Sequence, residues 1–143
     1  MREDILFQKA WQDNELIELS VVCSSPVVTT RSQIYVTDGL LDKLSDQIER
    51  FLAGKIPEGA WANETKGNAS TACLALRFLK KDRLGHILIE VFVELDDGGD
   101  YAAHNCCFFI NTEYGALMDF GKNLTRLKKG SVGCEIRLKD ESH

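Results

Sequence analysis

The sequence predicts an α+β fold: a single antiparallel sheet of about six or seven strands with two helices packed on one face. Three observations predict it. Apolar residues recur at helical spacing in only two segments, the other apolar residues alternate with period two, and short turn-rich connections between the alternating runs favour antiparallel neighbours. At 143 residues the chain is one domain, 1–143. A domain of that size buries about 68–70% of its unfolded surface and does not need disulfides or metals.

Residues 4–9 read as a short first strand. Ile17, Leu19, Val21 and Cys23 then interleave with Glu18, Ser20 and Val22. Ser24-Ser25-Pro26 supplies a turn, and the β-branched run Val27 to Val36 returns as the hairpin partner. The first helix opens at Thr37-Asp38-Gly39 and carries Leu40, Leu41, Leu44, Ile48, Phe51 and Leu52 on one stripe. Asp42, Lys43, Asp46, Gln47, Glu49 and Arg50 form its wet face, and Gly54 suits a left-handed cap. Lys55 to Ser70, with Trp61, reads as the longest irregular stretch, and loops beyond ~12–15 residues are often mobile or functional. Three strands follow, Thr71 to Leu79, Leu84 to Leu95 and Ala102 to Ile110, with Asp96-Asp97-Gly98-Gly99-Asp100 as a hairpin loop between the last two. The second helix opens at Thr112-Glu113, with Thr112 as the cap, and carries Leu117, Phe120, Leu124 and Leu127 before Gly130. Val132, Cys134, Ile136 and Leu138 alternate with Gly133, Glu135, Arg137 and Lys139 as a one-sided final strand.

The two helices echo one another at an offset of 76. Gly39, Leu41, Leu44, Ile48, Phe51 and Gly54 align with Gly115, Leu117, Phe120, Leu124, Leu127 and Gly130. Each half is then a hairpin followed by a helix, and likeness of structure accounts for the echo without a duplication.

Lys plus Arg number 17 against 22 Asp plus Glu, a net charge of −5 and a pI near 5.2. Nucleic-acid binding is not expected, because phosphate contacts need a basic stripe. The basic clusters Lys80-Lys81-Asp82-Arg83 and Arg126-Leu127-Lys128-Lys129 read as a solvated turn and a helix C-terminus. No apolar run approaches the ~18–20 residues of a membrane helix, and no signal-peptide core is present, so the expectation is a cytoplasmic protein with no membrane contact. Cys23, Cys73, Cys106, Cys107 and Cys134 then read as free thiols, and the Asn-x-Ser/Thr triplets at Asn63, Asn68 and Asn123 as incidental.

No cofactor and no metal site is expected. His104 and Cys106 share a strand face but Cys107 points the other way, and neither Cys-x-x-Cys nor His-Glu-x-x-His occurs. Asp96, Asp97 and Asp100 lack the spacing and closing Glu of a calcium loop. No catalytic residue is assigned either. Cys73 or Cys106 could be drawn with His86 or His104, yet nothing in the sequence places them together. Glu90 and Glu94 share a strand face with Leu88 and Phe92, and read as a solvated sheet face.

Several strands are apolar on both faces: Leu88 and Phe92 oppose Ile87, Ile89, Val91 and Val93, and Phe108 opposes Phe109. Either the 55–70 loop with Trp61 and the N-terminal segment with Trp11 fold over the second face, which is the favoured reading, or that face meets a partner or a second copy. Trp61, His86, His104 and Trp11 are the binding candidates.

The stretches Val36-Thr37-Asp38-Gly39-Leu40-Leu41-Asp42-Lys43-Leu44, Leu84-Gly85-His86-Ile87-Leu88-Ile89-Glu90-Val91 and Phe108-Phe109-Ile110-Asn111-Thr112-Glu113-Tyr114-Gly115-Ala116-Leu117, with Trp61 after the first helix, resemble the WapI-type bacterial immunity proteins over roughly residues 15–128. The resemblance rests on spaced apolar positions and implies a cytosolic, non-enzymatic protein that binds and blocks a toxin domain. Immunity surfaces vary with the toxin, so it carries over no binding residue. The functional expectation is a protein-binding module whose acidic balance suits a basic toxin domain. The alternatives are a small-molecule-binding or enzymatic domain using the 55–70 region, or a scaffolding homodimer.

Overall fold

The computed structural model describes residues 3–65, 72–95 and 104–139. In chain order the elements are β1 (Asp4–Gln12), β2 (Ile17–Ser24), β3 (Thr29–Val36), α1 (Asp38–Leu52), β4 (Gly59–Ala62), β5 (Leu74–Lys80), β6 (His86–Glu94), β7 (Asn105–Glu113), α2 (Tyr114–Lys129) and β8 (Glu135–Arg137). The α+β class and the antiparallel pairing stand, but the single sheet of six or seven strands is corrected. The described residues form two four-stranded sheets, sheet A in the order β3-β2-β1-β8 and sheet B in the order β4-β5-β6-β7.

The reason lies in the strand that follows each helix. After the β1-β2-β3 meander and α1, the chain crosses to sheet B, where Gly59–Ala62 pairs antiparallel with β5. After the β5-β6-β7 meander and α2, it crosses back, and Glu135–Arg137 pairs antiparallel with β1. Each half is thus β-β-β-α-β with its last strand lent to the other half's sheet. The stretch read as a long loop therefore contains β4. The expected hairpin loop 96–100 lies outside the described residues.

The helix boundaries follow local chemistry. Thr37 is extended and its Oγ1 accepts the Leu40 amide at 3.1 Å, so the expected cap of α1 is present. Gly54, at φ +76°, takes the left-handed position beyond α1, and its amide donates to the Phe51 carbonyl at 3.1 Å. The expected cap of α2 is corrected. Thr112 is the penultimate residue of β7 and is buried, and Glu113 holds the cap position without a side-chain hydrogen bond. Strand pairing keeps Thr112 extended opposite Ile87, and that pairing overrides its capping preference.

Period-two alternation fills the interior from both sheets. Ile5, Phe7, Ile17, Leu19, Val21, Ile34 and Val36 point inward from sheet A, and Trp61, Leu76, Phe78, Ile89, Val91 and Ile110 from sheet B. They join Leu41, Leu44, Ile48 and Phe51 of α1 and Leu117, Phe120, Leu124 and Leu127 of α2 in one core. Each helix sets a phenylalanine against the first meander strand of the other half: Phe51 lies 6.3 Å from Phe78, and Phe120 meets Phe7 edge-on at 5.3 Å. The helices meet at Ser45 and Gly121, themselves 76 apart. Ser45 Oγ donates to the Gly121 carbonyl at 3.3 Å, and a Cβ on Gly121 would stand only 3.0 Å from Ile48 Cγ2. The helices, aligned at that offset, thus touch at equivalent positions.

Polar groups inside this core are held by specific partners. Lys9 is 0% exposed, and its ammonium donates to Gln12 Oε1 at 2.8 Å, the Gly130 carbonyl at 2.8 Å and the Lys128 carbonyl at 3.3 Å. It closes the C-terminal end of α2, where the helix dipole favours a cation. Asn63 is buried too. Its amide donates to the Ala72 and Tyr35 carbonyls at 3.0 and 3.4 Å, and its Oδ1 accepts the Leu74 amide at 2.6 Å, which joins the end of β3 to β5. No helix among the described residues is long and apolar enough to cross a membrane.

Candidate functional site

The outward faces of the two sheets differ in chemistry. Sheet A presents Glu18, Ser20, Arg31, Gln33 and Tyr35, with Leu6 and Val22 half-buried among them. The Tyr35 hydroxyl donates to Glu18 Oε2 at 3.0 Å, so this face is polar and internally bonded. Sheet B presents three cross-strand rows instead. Leu79 lies opposite Leu88 and then Asn111, Arg77 opposite Glu90 and then Phe109, and Ala75 opposite Phe92 and then Cys107. Ala60 and Ala62 extend the last two rows onto β4.

Both helices pack on the inner side, so the outer side of β5, β6 and β7 is apolar yet turned away from the core. Phe109 is 45% exposed, Cys107 is exposed, and Leu88 and Phe92 are half-buried. The expected covering by the 55–70 segment is corrected for its described part: Trp61 enters sheet B on β4 and points inward. A groove of about 440 Å³ runs along this face, lined by Ala60, Ala62, Ala75, Arg77, Glu90 and Phe92 among others. At its centre Arg77 bridges two carboxylates, Glu90 at 2.9 Å and Glu58 at 3.3 Å. Pairs this exposed add little stability, so their weight is in charge patterning. The arrangement suits recognition of a protein surface, with aromatic and aliphatic anchors around oriented charge.

The four sequence candidates are dispersed. Trp61 is 7% exposed, and its indole N–H donates to the Leu40 carbonyl at 2.8 Å across to α1. Trp11 stands exposed on β1 beyond a bulge, opposite Glu18. His104 is exposed just before β7, and its carbonyl accepts the Leu95 amide at 2.8 Å. His86 opens β6 on the turn after β5, where its Nδ1 lies 2.6 Å from Asp82 Oδ2. Asp82 Oδ1 accepts the amides of Leu84 and His86, and the His86 ring above all, then these amide bonds, hold the carboxyl below the usual range. Glu90 and Glu94 do not act as a pair, because Glu90 holds Arg77 while Glu94 is buried and accepts the Cys73 amide at 2.9 Å. The reading of Glu94 as solvated is corrected. Arg77, Glu58 and the buried Lys9 were missed by the sequence reading. The signal for Arg77 is its place between Ala75 and Leu79 on the outward parity of a strand.

Among the described residues no group of three His, Cys, Asp or Glu is placed to hold a metal ion. The five cysteines are free, with Cys23 and Cys73 buried and Cys107 exposed. Burial, followed by the charge of Asp4, pushes the Cys23 thiol up to about 12. Iodoacetamide at pH 8 followed by mass spectrometry is expected to mark Cys107 in the native protein and Cys23 only after unfolding. Because the folded value is raised above 9.0, the native state retains this proton as pH climbs. Its contribution to stability is complete below pH 9 and is lost as pH rises towards 12, roughly 4 kcal/mol over the window. Urea titrations from pH 8.5 to 10.5 are expected to show a shallower loss of stability in Cys23→Ala than in the parent. Identical slopes would contradict it.

No family model matches the chain, and neither the curated proteins nor the solved structures contain a significant match to it.

Proposed function

We propose that this protein is a non-enzymatic protein-binding module, of the immunity type, that blocks a basic toxin domain by covering it. The outer face of sheet B is its contact surface. The observation that carries this reading is the exposed Phe109, with half-buried Leu88 on the neighbouring row, beside the Arg77–Glu90 pair, on a molecule whose other sheet presents a polar face. Soluble proteins seldom leave contiguous apolar sheet surface uncovered without a partner for it. The net charge of −5 favours encounter with a basic domain, and Glu58 and Glu90 offer carboxylates at the rim.

A second copy is the competing occupant, because Phe109 lies on β7, the edge strand of sheet B. Sedimentation velocity separates the two. The module reading expects a monomer at micromolar concentration, and a dimer that Phe109→Glu converts to monomer would replace the toxin with a self-association surface. The direct test is co-expression with a toxin domain encoded beside the gene in a bacterial host. Rescue of growth by the parent and its loss in Phe109→Glu are expected, while Tyr35→Glu on sheet A keeps the rescue.

A further inference from the structure

Two cavities adjoin at the helix crossing and the β5–β6 turn. One, of about 360 Å³, lies between the helices and is floored by Ile48, Leu52, Met118 and Gly121. The other, of about 350 Å³, lies between the end of α1 and the β5–β6 turn, and is lined by Lys80, Arg83, His86 and Ile87. Leu52 and Tyr114 wall both, so the two are neighbours, one apolar at the helix crossing and the other cationic at the turn. Each part is of the size of small-molecule sites, ~300–1,000 Å³.

The helix crossing explains the apolar half. Gly121 has no side chain because Ile48 needs the space, and the small residue opens the floor between α1 and α2. Glu49 and Lys122 also line this half. The turn explains the cationic half. Lys80 and Arg83 have no ion-pair partner among the described residues. Asp82, the carboxylate lining this half, is engaged by His86 and by the amides of Leu84 and His86. Glu3 and Glu113 are on another side of His86, in a separate cavity with Lys139.

We propose that this pair of cavities binds a single-chain anionic amphiphile laid across Leu52 and Tyr114, with its apolar chain along Ile48, Leu52 and Met118 and its carboxylate or phosphate head at Lys80, Arg83 and His86. The charge at one end decides the occupant: a neutral or cationic amphiphile would leave two unpaired cations at the head position. None of Phe109, Arg77 and Glu90 lines these cavities, so either reading stands or falls without the other.

The test is calorimetric titration of the full chain with decanoate below its micelle concentration, with octanoate, decyl phosphate and decyltrimethylammonium as comparisons. Saturable one-to-one binding of decanoate or decyl phosphate is expected, and the tighter of the two identifies the head group. Octanoate, shorter by two methylenes, is expected to bind roughly fifteenfold more weakly, since each buried methylene contributes about fourfold. Arg83→Glu, on an exposed turn, and Met118→Glu, on a half-buried helix position, are each expected to weaken decanoate about tenfold or more while amide spectra stay native. Equal affinity for decyltrimethylammonium, no saturable binding, or an unchanged affinity in both variants would overturn the proposal.

Discussion

Lys9→Ala is expected to lower the unfolding free energy by about 3–5 kcal/mol, measured by urea denaturation followed by circular dichroism. The side chain is wholly buried on β1, and two of its three acceptors are the carbonyls of Lys128 and Gly130 at the end of α2. Those carbonyls have no helical partner, because the last turn of any helix leaves four acceptors unfilled. Truncation to Ala removes the donor and the aliphatic stem together, so the loss combines a cavity with unpaired buried oxygens. Lys9→Met separates the two contributions. It restores the volume and leaves the oxygens unpaired, and about 1–3 kcal/mol of the loss is expected to remain. A neutral or stabilising Lys9→Met would mean that the ammonium is not what closes α2 against sheet A. Hydrogen exchange at residues 126–130 is the local readout, and it should quicken in both variants.

Trp61→Ala is expected to cost about 3–5 kcal/mol by the same measurement, and Trp61→Phe about 1 kcal/mol. The ring sits on the four-residue β4 and fills the core under α1, and its N–H reaches the Leu40 carbonyl in the first turn of that helix. Phe keeps most of the packing and loses the hydrogen bond, so a small cost there and a large one in Trp61→Ala together define a core residue. A Trp61→Ala variant as stable as the parent would instead return Trp61 to the surface role that the sequence suggested for it.

Local chemistry in the sequence revealed both helices and every strand except β4. Thr37 and Gly54 bracket α1 because both act on their own helix, and β2 with β3 is bounded by its own turn residues. Alternation also identified which residues of each strand point one way, setting Leu88 and Phe92 against Ile87, Ile89, Val91 and Val93 and Phe108 against Phe109, so that one of the two apolar faces could stay open. Long-range pairing was hidden. Gly-Ala-Trp-Ala carries no β-branched residue, and nothing in it shows that it borders β5, so the chain from Lys55 onward looked like loop and the two sheets looked like one. Lys9 and Glu94 look like ordinary surface charges in sequence. Their burial depends on carbonyls and amides more than 20 residues away, at Gly130 and Cys73. Likewise His86 gains its orientation from Asp82 four residues earlier, but its neighbours Leu52 and Tyr114 reach it only through the fold.

The outer face of sheet B as a partner surface is tested most directly by affinity capture from the native organism's lysate with the parent chain, Phe109→Glu and Tyr35→Glu, each at low and high salt. The expected result is one stoichiometric protein held by the parent and by Tyr35→Glu, weakened at high salt and lost in Phe109→Glu, a loss of at least about 2 kcal/mol of binding, or roughly thirtyfold. A partner held equally well by Phe109→Glu, or none at either salt, would contradict it.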